Sequence, residues 1–103
     1  MNIRTAEKND INNWMNLIHK VKDVFPGLET EEELLEHKNT VLDFMEKGLA
    51  VCAEEDGKII GTLLFLKDEG QLCFLAVDSA YRRMHTAEKM VKLAMEEIPE
   101  NID

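Results

Sequence analysis

The apolar residues of this 103-residue chain change their spacing at Gly48. Between Asp10 and Lys47 they recur every three or four positions, which is the period of an amphipathic helix. Beyond Gly48 they form the runs LAVCAEE, KIIGTLLFL and QLCFLAV, which are typical of β-strands. The chain is therefore predicted to pack helices on a sheet, as in a mixed α/β or α+β fold, with a largely antiparallel sheet.

Two helices are predicted in the first half of the chain. Asp10 can cap the first helix, and Pro26-Gly27 predicts the turn that follows it. Thr30 and Glu33 form a capping box of the pattern T-x-x-E, which predicts the start of the second helix. Gly48 stands where a C-terminal glycine cap is expected. The predicted inner faces are Ile11, Trp14, Leu17, Ile18 and Val21 in the first helix, and Leu34, Leu35, Val41, Leu42 and Met45 in the second.

Strand signals dominate the second half, although a short extended segment, Ile3 to Ala6, already opens the chain. Asp56-Gly57 is a strong hairpin signal, and Lys67–Gly70 predicts another turn. The last two apolar runs are nearly continuous, so both strands are predicted to be covered on both faces. A third helix is predicted to begin near Thr86 and to end before Pro99. Its predicted inner residues are Ala87, Met90, Val91, Ala94 and Ile98.

Length and charge limit the organisation and the partners. With 45% hydrophobic and 32% charged residues, the chain is predicted to form a single domain, residues 1–103, in the order β-α-α-β-β-β-α. A net charge of −9 argues against nucleic acid and against an anionic membrane as partners. The same charge fits either a cationic amine substrate or solubility alone.

The two cysteines, Cys52 and Cys73, lie in apolar runs and are predicted to be buried, reduced side chains. No Cys-x-x-Cys pair or Cys/His cluster has the spacing of a metal site, so no metal is predicted. The first residues lack an apolar signal core, and no apolar run is long enough to span a bilayer. A cytoplasmic location is therefore expected.

The segment FLAVDSAYRRMHTAEKMVKLAMEEI carries most of the chemical information. A strand is predicted to end at Val77, and a polar, basic turn leads into the third helix. The unpaired N–H groups and the dipole of a helix N-terminus favour anions such as phosphate. Two of the three arginines, Arg82 and Arg83, lie at this junction, followed by Lys89 and Lys92. Two interpretations stay open here, a phosphate site and a solvated basic pair that offsets nearby carboxylates.

This segment resembles the coenzyme A-binding motif of the GNAT N-acetyltransferase superfamily. In that family a strand ends in a valine, a turn and a Tyr-Arg pair follow, and R/Q-x-x-G-x-G/A opens a helix. Val77 matches the strand end, Tyr81-Arg82 the pair, and Arg82-x-x-His85-x-Ala87 the loop. The opening IRTAEKND is similar to the family's first strand and helix cap, and the order of elements is similar along essentially the whole chain.

The resemblance implies a fold, a cofactor and a reaction. The fold would be a GNAT-like mixed, largely antiparallel sheet with helices on both faces, lacking the usual C-terminal strands. The cofactor would be acetyl-CoA, and the acetyl group would pass to a primary amine of a small molecule or a protein. The implied coenzyme A contacts are Leu75, Ala76 and Val77 along the pantetheine arm, Arg82 as a charge, and Arg83, Met84, His85, Thr86 and Ala87 at the pyrophosphate.

Three features depart from the family pattern. His85 replaces a glycine, so the loop is expected either to keep ordinary dihedrals or to bind less well, unless the imidazole contacts phosphate itself. Cys73 lies near the position where many relatives carry a catalytic carboxylate. The chain ends at Asp103, whereas full members of the family continue with further strands.

These departures leave the catalytic residues open. The acidic candidates for an acid or base are Glu54, Glu55, Glu69 and Asp78. Without further strands, Gln71–Val77 would be an exposed apolar edge, which predicts a homodimer or a partner chain that covers it. Three functional interpretations remain: an N-acetyltransferase, a non-catalytic GNAT-like module that binds coenzyme A or a partner chain, and an interaction domain without a cofactor.

Overall fold

The computed structural model describes residues 1–66 and 68–96. Its regular elements follow the predicted order β-α-α-β-β-β-α, and short 3-10 turns at Lys8–Asp10 and Lys22–Val24 flank the first helix. The elements are β1 (Asn2–Thr5), α1 (Ile11–Val21), α2 (Glu31–Glu46), β2 (Ala50–Glu55), β3 (Lys58–Leu66), β4 (Gln71–Val77) and α3 (Thr86–Glu96). Lys67, Ile98 and Pro99, to which the sequence assigned a turn, an inner position and a helix end, lie outside the described residues.

The four strands form one antiparallel sheet in the order β1-β2-β3-β4. The β2–β3 hairpin turns at Asp56 and Gly57, which have φ angles of 52° and 77°. Positive φ at both turn residues matches the right-handed twist of the flanking strands, so the predicted hairpin is confirmed. Within the described residues, β4 pairs only with β3 and forms an edge of the sheet.

Each face of the sheet carries a separate apolar core, which confirms the predicted helices on both faces. On one face α1 and α2 bury Trp14, Ile18 and Val41 against β2 and β3. On the other face α3 packs Met90 and Ala94 against the sheet. None of the helices in the described ranges has a run long and apolar enough to cross a bilayer.

The boundaries of α2 follow the predicted caps. Thr30 Oγ1 accepts the Glu33 N–H at 3.1 Å, and the Glu33 carboxylate accepts the Thr30 N–H at 3.1 Å, which is the predicted capping box. At the other end of α2, Gly48 has a φ of 74° and follows the C-cap residue Lys47. Left-handed backbone is least strained at glycine, which explains why the helix stops there.

Asp10 stands at the predicted N-cap of α1, but its side chain does not cap the helix. Its carboxylate accepts two hydrogen bonds from the Arg4 guanidinium, at 2.8 and 2.9 Å, and one from the Glu7 N–H at 2.8 Å. Arg4 also reaches Glu54 at 3.3 Å. The Arg4 hydrogen bonds hold the pKa of Asp10 below its usual value. This cluster therefore joins β1 and β2 to the start of α1.

Three side chains expected to be buried are exposed. Leu35 on α2 is 57% exposed, because the core-facing arc at this turn is already occupied by its neighbour Leu34. Leu72 and Cys73 on β4 are exposed as well, so the predictions of a fully covered β4 and of a packed Cys73 are wrong. The physical reason is that β4 is an edge strand, with no further described element over its first residues. Cys52, in contrast, is buried as predicted.

Candidate functional site

The backbone of β4 presents unpaired polar groups at the open edge of the sheet. The Asp78 N–H donates to the Ile60 carbonyl oxygen at 2.8 Å, and Ala76 pairs with Thr62. Successive residues of a strand direct their N–H and C=O groups to opposite edges. Ala76 therefore faces β3, whereas Leu75 and Val77 offer their backbone groups to whatever lies along the open edge.

The open edge is bent by a β-bulge. Leu64 pairs with Phe74 and Phe65 with Leu72, so Cys73 is an extra residue on β4 with no partner opposite it. A bulge increases the local twist and redirects the strand, and bulges are frequent beside active sites. The bulge thus lies two residues before Leu75, at the start of the exposed stretch of backbone.

Asp78 organises the turn that follows β4. Its Oδ1 atom accepts the Ala80 N–H at 3.0 Å, which caps a 3-10 turn at Ser79–Met84. Its Oδ2 atom accepts a hydrogen bond from Lys20 Nζ at 3.1 Å. The backbone hydrogen bond from Ala80, followed by that from Lys20, lowers the pKa of Asp78. The Asp78 carboxylate is therefore a fixed anion that shapes the turn.

His85 links this turn to α3 through a left-handed backbone conformation, with φ 58° and ψ 30°. The loop thus adopts the conformation for which glycine is best suited, and the alternative that His85 keeps ordinary dihedrals is wrong. The left-handed conformation of a residue with a Cβ costs about 1–2 kcal/mol. The ring itself is exposed, with Nδ1 3.4 Å from Glu88 Oε2.

The first turn of α3 is held in place by contacts with the preceding turn and with β3. Thr86 is fully buried, and its hydroxyl donates to the Tyr81 carbonyl oxygen at 3.1 Å. Gly61 on β3 leaves the space that α3 occupies, because a Cβ there would lie 2.9 Å from Met90 Cε and 3.0 Å from Thr86 Cγ2. The Lys89 N–H donates to the His85 carbonyl oxygen at 3.1 Å, so the N–H groups of Thr86, Ala87 and Glu88 have no acceptor within α3.

A cleft of about 270 Å³ lies between the end of β4 and the start of α3. Five of the nine residues implied by the family resemblance line it, and Phe25 from the loop after α1 closes it on one side. The lining residues are Phe25, Leu75, Ala76, Val77, Arg82 and Ala87. Arg83, Met84 and His85 lie on the exposed turn beside it, whereas the side chain of Thr86 is buried beneath it.

Phe25 is the lining residue that the sequence interpretation missed. It precedes Pro26 in a stretch that was assigned only as a turn. The available signal was a large apolar side chain in a loop, with no periodic pattern to give it a place in the core. The structure packs its ring 5.0 Å from that of Phe74.

The two arginines of the turn are exposed, and the side chain of neither forms a hydrogen bond or ion pair with another described residue. Three of the four acidic candidates are already engaged. Glu54 pairs with Arg4 at 3.3 Å, Glu55 with the Met1 amine at 2.9 Å, and Asp78 with Lys20. Glu69 is exposed in the turn before β4. The residues that line the cleft include arginine but no carboxylate.

One family model matches most of the chain. A sequence model described as the acetyltransferase (GNAT) family matches residues 12–101. No curated protein sequence shows a significant match.

Solved structures of similar fold include the following acetyltransferases. A GNAT-family acetyltransferase from Bacillus cereus aligns with a TM-score of 0.65 and 20% identity over 89% of this chain. A diaminobutyrate acetyltransferase from Paenibacillus lautus, in complex with L-2,4-diaminobutyric acid and coenzyme A, gives 0.66 and 20% over 91%. An aminoglycoside 6'-N-acetyltransferase from Acinetobacter haemolyticus gives 0.67 and 20% over 95%. The chain spans 60%, 55% and 71% of the lengths of these proteins, respectively.

Proposed function

The chain belongs to the acetyltransferase (GNAT) family, and on this premise we propose that it binds acetyl-CoA and transfers the acetyl group to a primary amine. The proposed cofactor site is the cleft between the open edge of β4 and the start of α3. The observation that supports this proposal most is that five residues of the sequence motif line the same cleft. When bound, acetyl-CoA supplies a thioester whose carbonyl carbon accepts an amine nitrogen.

The chain's own groups suit the two ends of such a ligand. The outward N–H and C=O groups of Leu75 and Val77 are placed to pair with the amides of the pantetheine arm, in the manner of an added strand. The N–H groups of the turn and first helical residues, Arg83–Ala87, are proposed to hold the pyrophosphate, with Arg82 adding positive charge. Ala76 contributes to the wall only, because its backbone groups face β3.

The bulge at Cys73 is proposed to place a backbone hydrogen-bond donor of β4 near the thioester during acetyl transfer. Backbone N–H groups near Cys73 are displaced from the regular ladder, and a donor aimed at the thioester oxygen would stabilise the negative charge that develops there. Such a donor is effective because it is fixed by the fold before the substrate arrives.

Calorimetric titration with acetyl-CoA tests the cofactor site. Arg82→Ala and Arg83→Ala are each expected to weaken binding about tenfold, since a hydrogen bond to a charged group contributes roughly 1.5–3 kcal/mol. Lys8→Ala is the control, because Lys8 is an exposed cation paired with Glu46 and does not line the cleft. No heat of binding to the wild type, or equal affinity in both arginine variants and the control, would contradict the proposal.

A second candidate function is a non-catalytic module that binds coenzyme A. The specific observation in its favour is that no carboxylate lines the described cleft to serve as a base. Acetyl transfer to a panel of primary amines separates the two candidates. Binding of acetyl-CoA together with turnover on any amine favours the enzyme, and binding without turnover favours the module.

We further propose that a second copy or a partner chain covers the part of the β4 edge that the cofactor leaves open. Leu72 is 43% exposed, and Cys73 lies beside it on the same edge strand. An exposed apolar edge offers hydrogen bonds to another strand. Light scattering at high micromolar concentration is expected to give a mass above that of one chain, and a clean monomer would contradict self-association.

A further inference from the structure

A second cavity, of about 340 Å³, lies on the opposite side of β4 from the cofactor cleft. Phe25 lines both cavities. Phe74 and Leu75 are neighbours on β4 whose side chains belong to different cores, so Phe74 faces the second cavity whereas Leu75 lines the cleft. The bulge at Cys73 immediately precedes this pair. The second cavity therefore approaches, from the α2 side, the stretch of β4 that the cofactor is proposed to follow.

His37 on α2 lines this cavity and has a nitrogen without a partner. Its ring lies 4.8 Å from that of Phe74, at an interplanar angle of 56°. Its Nε2 atom is buried, with no hydrogen-bond partner among the described residues, although the residue as a whole is only half-buried. Burial lowers the pKa of His37, so the imidazole is neutral at pH 7. When Nε2 carries the hydrogen, Nδ1 keeps a lone pair that can accept a proton.

The charged groups around His37 are acidic and lie on its own helix. Glu33 is engaged in the capping box, where its carboxylate accepts the N–H groups of Glu29 and Thr30. Glu36 is exposed, and its carboxylate forms no hydrogen bond or ion pair with another described residue, although its backbone carbonyl accepts a hydrogen bond from the Thr40 hydroxyl at 3.0 Å. The residues that line the cavity from the loop after α1 and from β4 carry no charge. The cavity thus combines aromatic walls with a carboxylate, a combination that attracts a cation with an apolar body.

We infer that this cavity binds the acceptor amine and that His37 is the base that deprotonates it, an inference that rests on the proposed acetyl transfer. The acceptor class is a primary amine with an apolar or aromatic body, which packs against Phe25 and Phe74 while its ammonium group lies near Glu36. An N–H bond of the ammonium breaks, its proton moves to His37 Nδ1, and the electron pair stays on nitrogen. That nitrogen bonds to the thioester carbonyl carbon, the C–S bond breaks, and the thiolate takes up the second proton lost from nitrogen. His37 then returns its proton to water.

The acceptor site is tested by NMR of the histidine ring signals, with 2-phenylethylamine as the probe. The alcohol 2-phenylethanol is a matched control of similar size without the ammonium group. The signals that vanish in His37→Phe identify His37, and this variant keeps a ring against Phe74. The amine is expected to shift the His37 signals more than the alcohol does. Unchanged His37 signals would overturn the inference whether or not the wild type turns over.

The role of His37 as a base is tested by the pH dependence of kcat/KM for 2-phenylethylamine. His37→Phe is expected to lower kcat/KM about 100-fold at pH 7, the range for loss of a general base. The difference in kcat/KM between wild type and His37→Phe is expected to decrease towards pH 9.5, because solvent deprotonates more of the amine there. His19→Gln, a substitution of a histidine outside this cavity, is expected to leave kcat/KM unchanged.

The outcomes separate this inference from the proposed function. Equal activity of wild type and His37→Phe, a loss that is the same at every pH, or an amine-dependent shift without turnover would each contradict His37 as the base. Absence of acetyl-CoA binding in calorimetry would instead overturn the proposed function, while the ring signals still report on the cavity. Unchanged acetyl-CoA affinity in His37→Phe is expected, because His37 does not line the cleft.

Discussion

Arg4 lies between two carboxylates, whereas Arg82 and Arg83 lie on an exposed turn and contact no carboxylate in the described part of the chain. Arg4 donates two hydrogen bonds to Asp10 and one to Glu54, and these bonds fix the start of α1 against the sheet. The paired arginines make no such bonds, although the chain carries 21 acidic residues. Arg4 therefore stabilises the fold, whereas the side chains of Arg82 and Arg83 are available to bind an anionic ligand.

Removing the charge of Asp10 is expected to destabilise the fold. Asp10→Asn would weaken both bonds from Arg4 and the one from the Glu7 N–H, for a loss of about 2 kcal/mol in the free energy of unfolding. Urea unfolding followed by circular dichroism measures this. Glu46→Gln is the control, because the exposed pair of Glu46 with Lys8 is expected to contribute less than about 0.5 kcal/mol. Equal effects of the two substitutions would contradict the distinction between the two kinds of arginine.

A methyl group at Gly61 is expected to disturb the support of the arginine-bearing turn. Gly61→Ala places a Cβ 2.9 Å from Met90 Cε and 3.0 Å from Thr86 Cγ2, and such overpacking costs about 1–3 kcal/mol. The displaced α3 start is also expected to weaken acetyl-CoA binding, as calorimetry would show. In the double variant Gly61→Ala/Met90→Ala the contact with Met90 is gone, so its loss of stability should be smaller than the sum of the single losses. Strict additivity would exclude the clash as the cause.

Glycine at position 85 is expected to relax the turn. His85→Gly removes the strain of a left-handed residue with a Cβ, so the protein should gain up to about 1 kcal/mol in unfolding free energy. His85→Ala also removes the ring but keeps the Cβ, and it should show no such gain. Urea unfolding of both variants provides the measurement. A gain in the alanine variant equal to that in the glycine variant would assign the effect to the ring and not to the backbone.

The pH dependence of stability is expected to depend on Asp10, the anion of the Arg4 cluster. Because the folded-state pKa of Asp10 is lowered by Arg4, its contribution is full above the unfolded pKa of about 3.9 and is lost as pH falls through the lower folded value. Urea midpoints between pH 6 and pH 3 are therefore expected to fall more steeply for wild type than for Asp10→Asn. Parallel curves would contradict this assignment.

Much of the fold could be predicted because local signals and tertiary packing agree. The Thr30–Glu33 capping box, the Asp56-Gly57 hairpin and the period of α1 each specify a local structure that the fold then uses. Leu35 and Cys73 were misassigned because burial depends on which neighbours cover an element. The apolar pattern of α2 is too broad to show which of two adjacent leucines faces the core, and the pattern of β4 does not reveal an edge.

The candidate site could be predicted only in part. The motif from Val77 to Ala87 located the segment, because a strand, a basic turn and a helix start are adjacent in sequence. The second wall, Phe25, and the imidazole of His37 come from a loop and a helix distant in sequence, and no local pattern relates them to β4. The left-handed backbone at His85 was left open, since a histidine gives a weaker signal for a positive φ than a glycine does.

Backbone amide NMR of the wild type, titrated with acetyl-CoA, tests the central claim most directly. The largest shift changes are expected at the outward-facing residues Leu75 and Val77 and along Arg83–Ala87, with the amides around Arg4 unchanged. This pattern would place the ligand between the open edge of β4 and the start of α3. Changes absent from both segments, or confined to α1 and α2, would contradict this placement of the ligand.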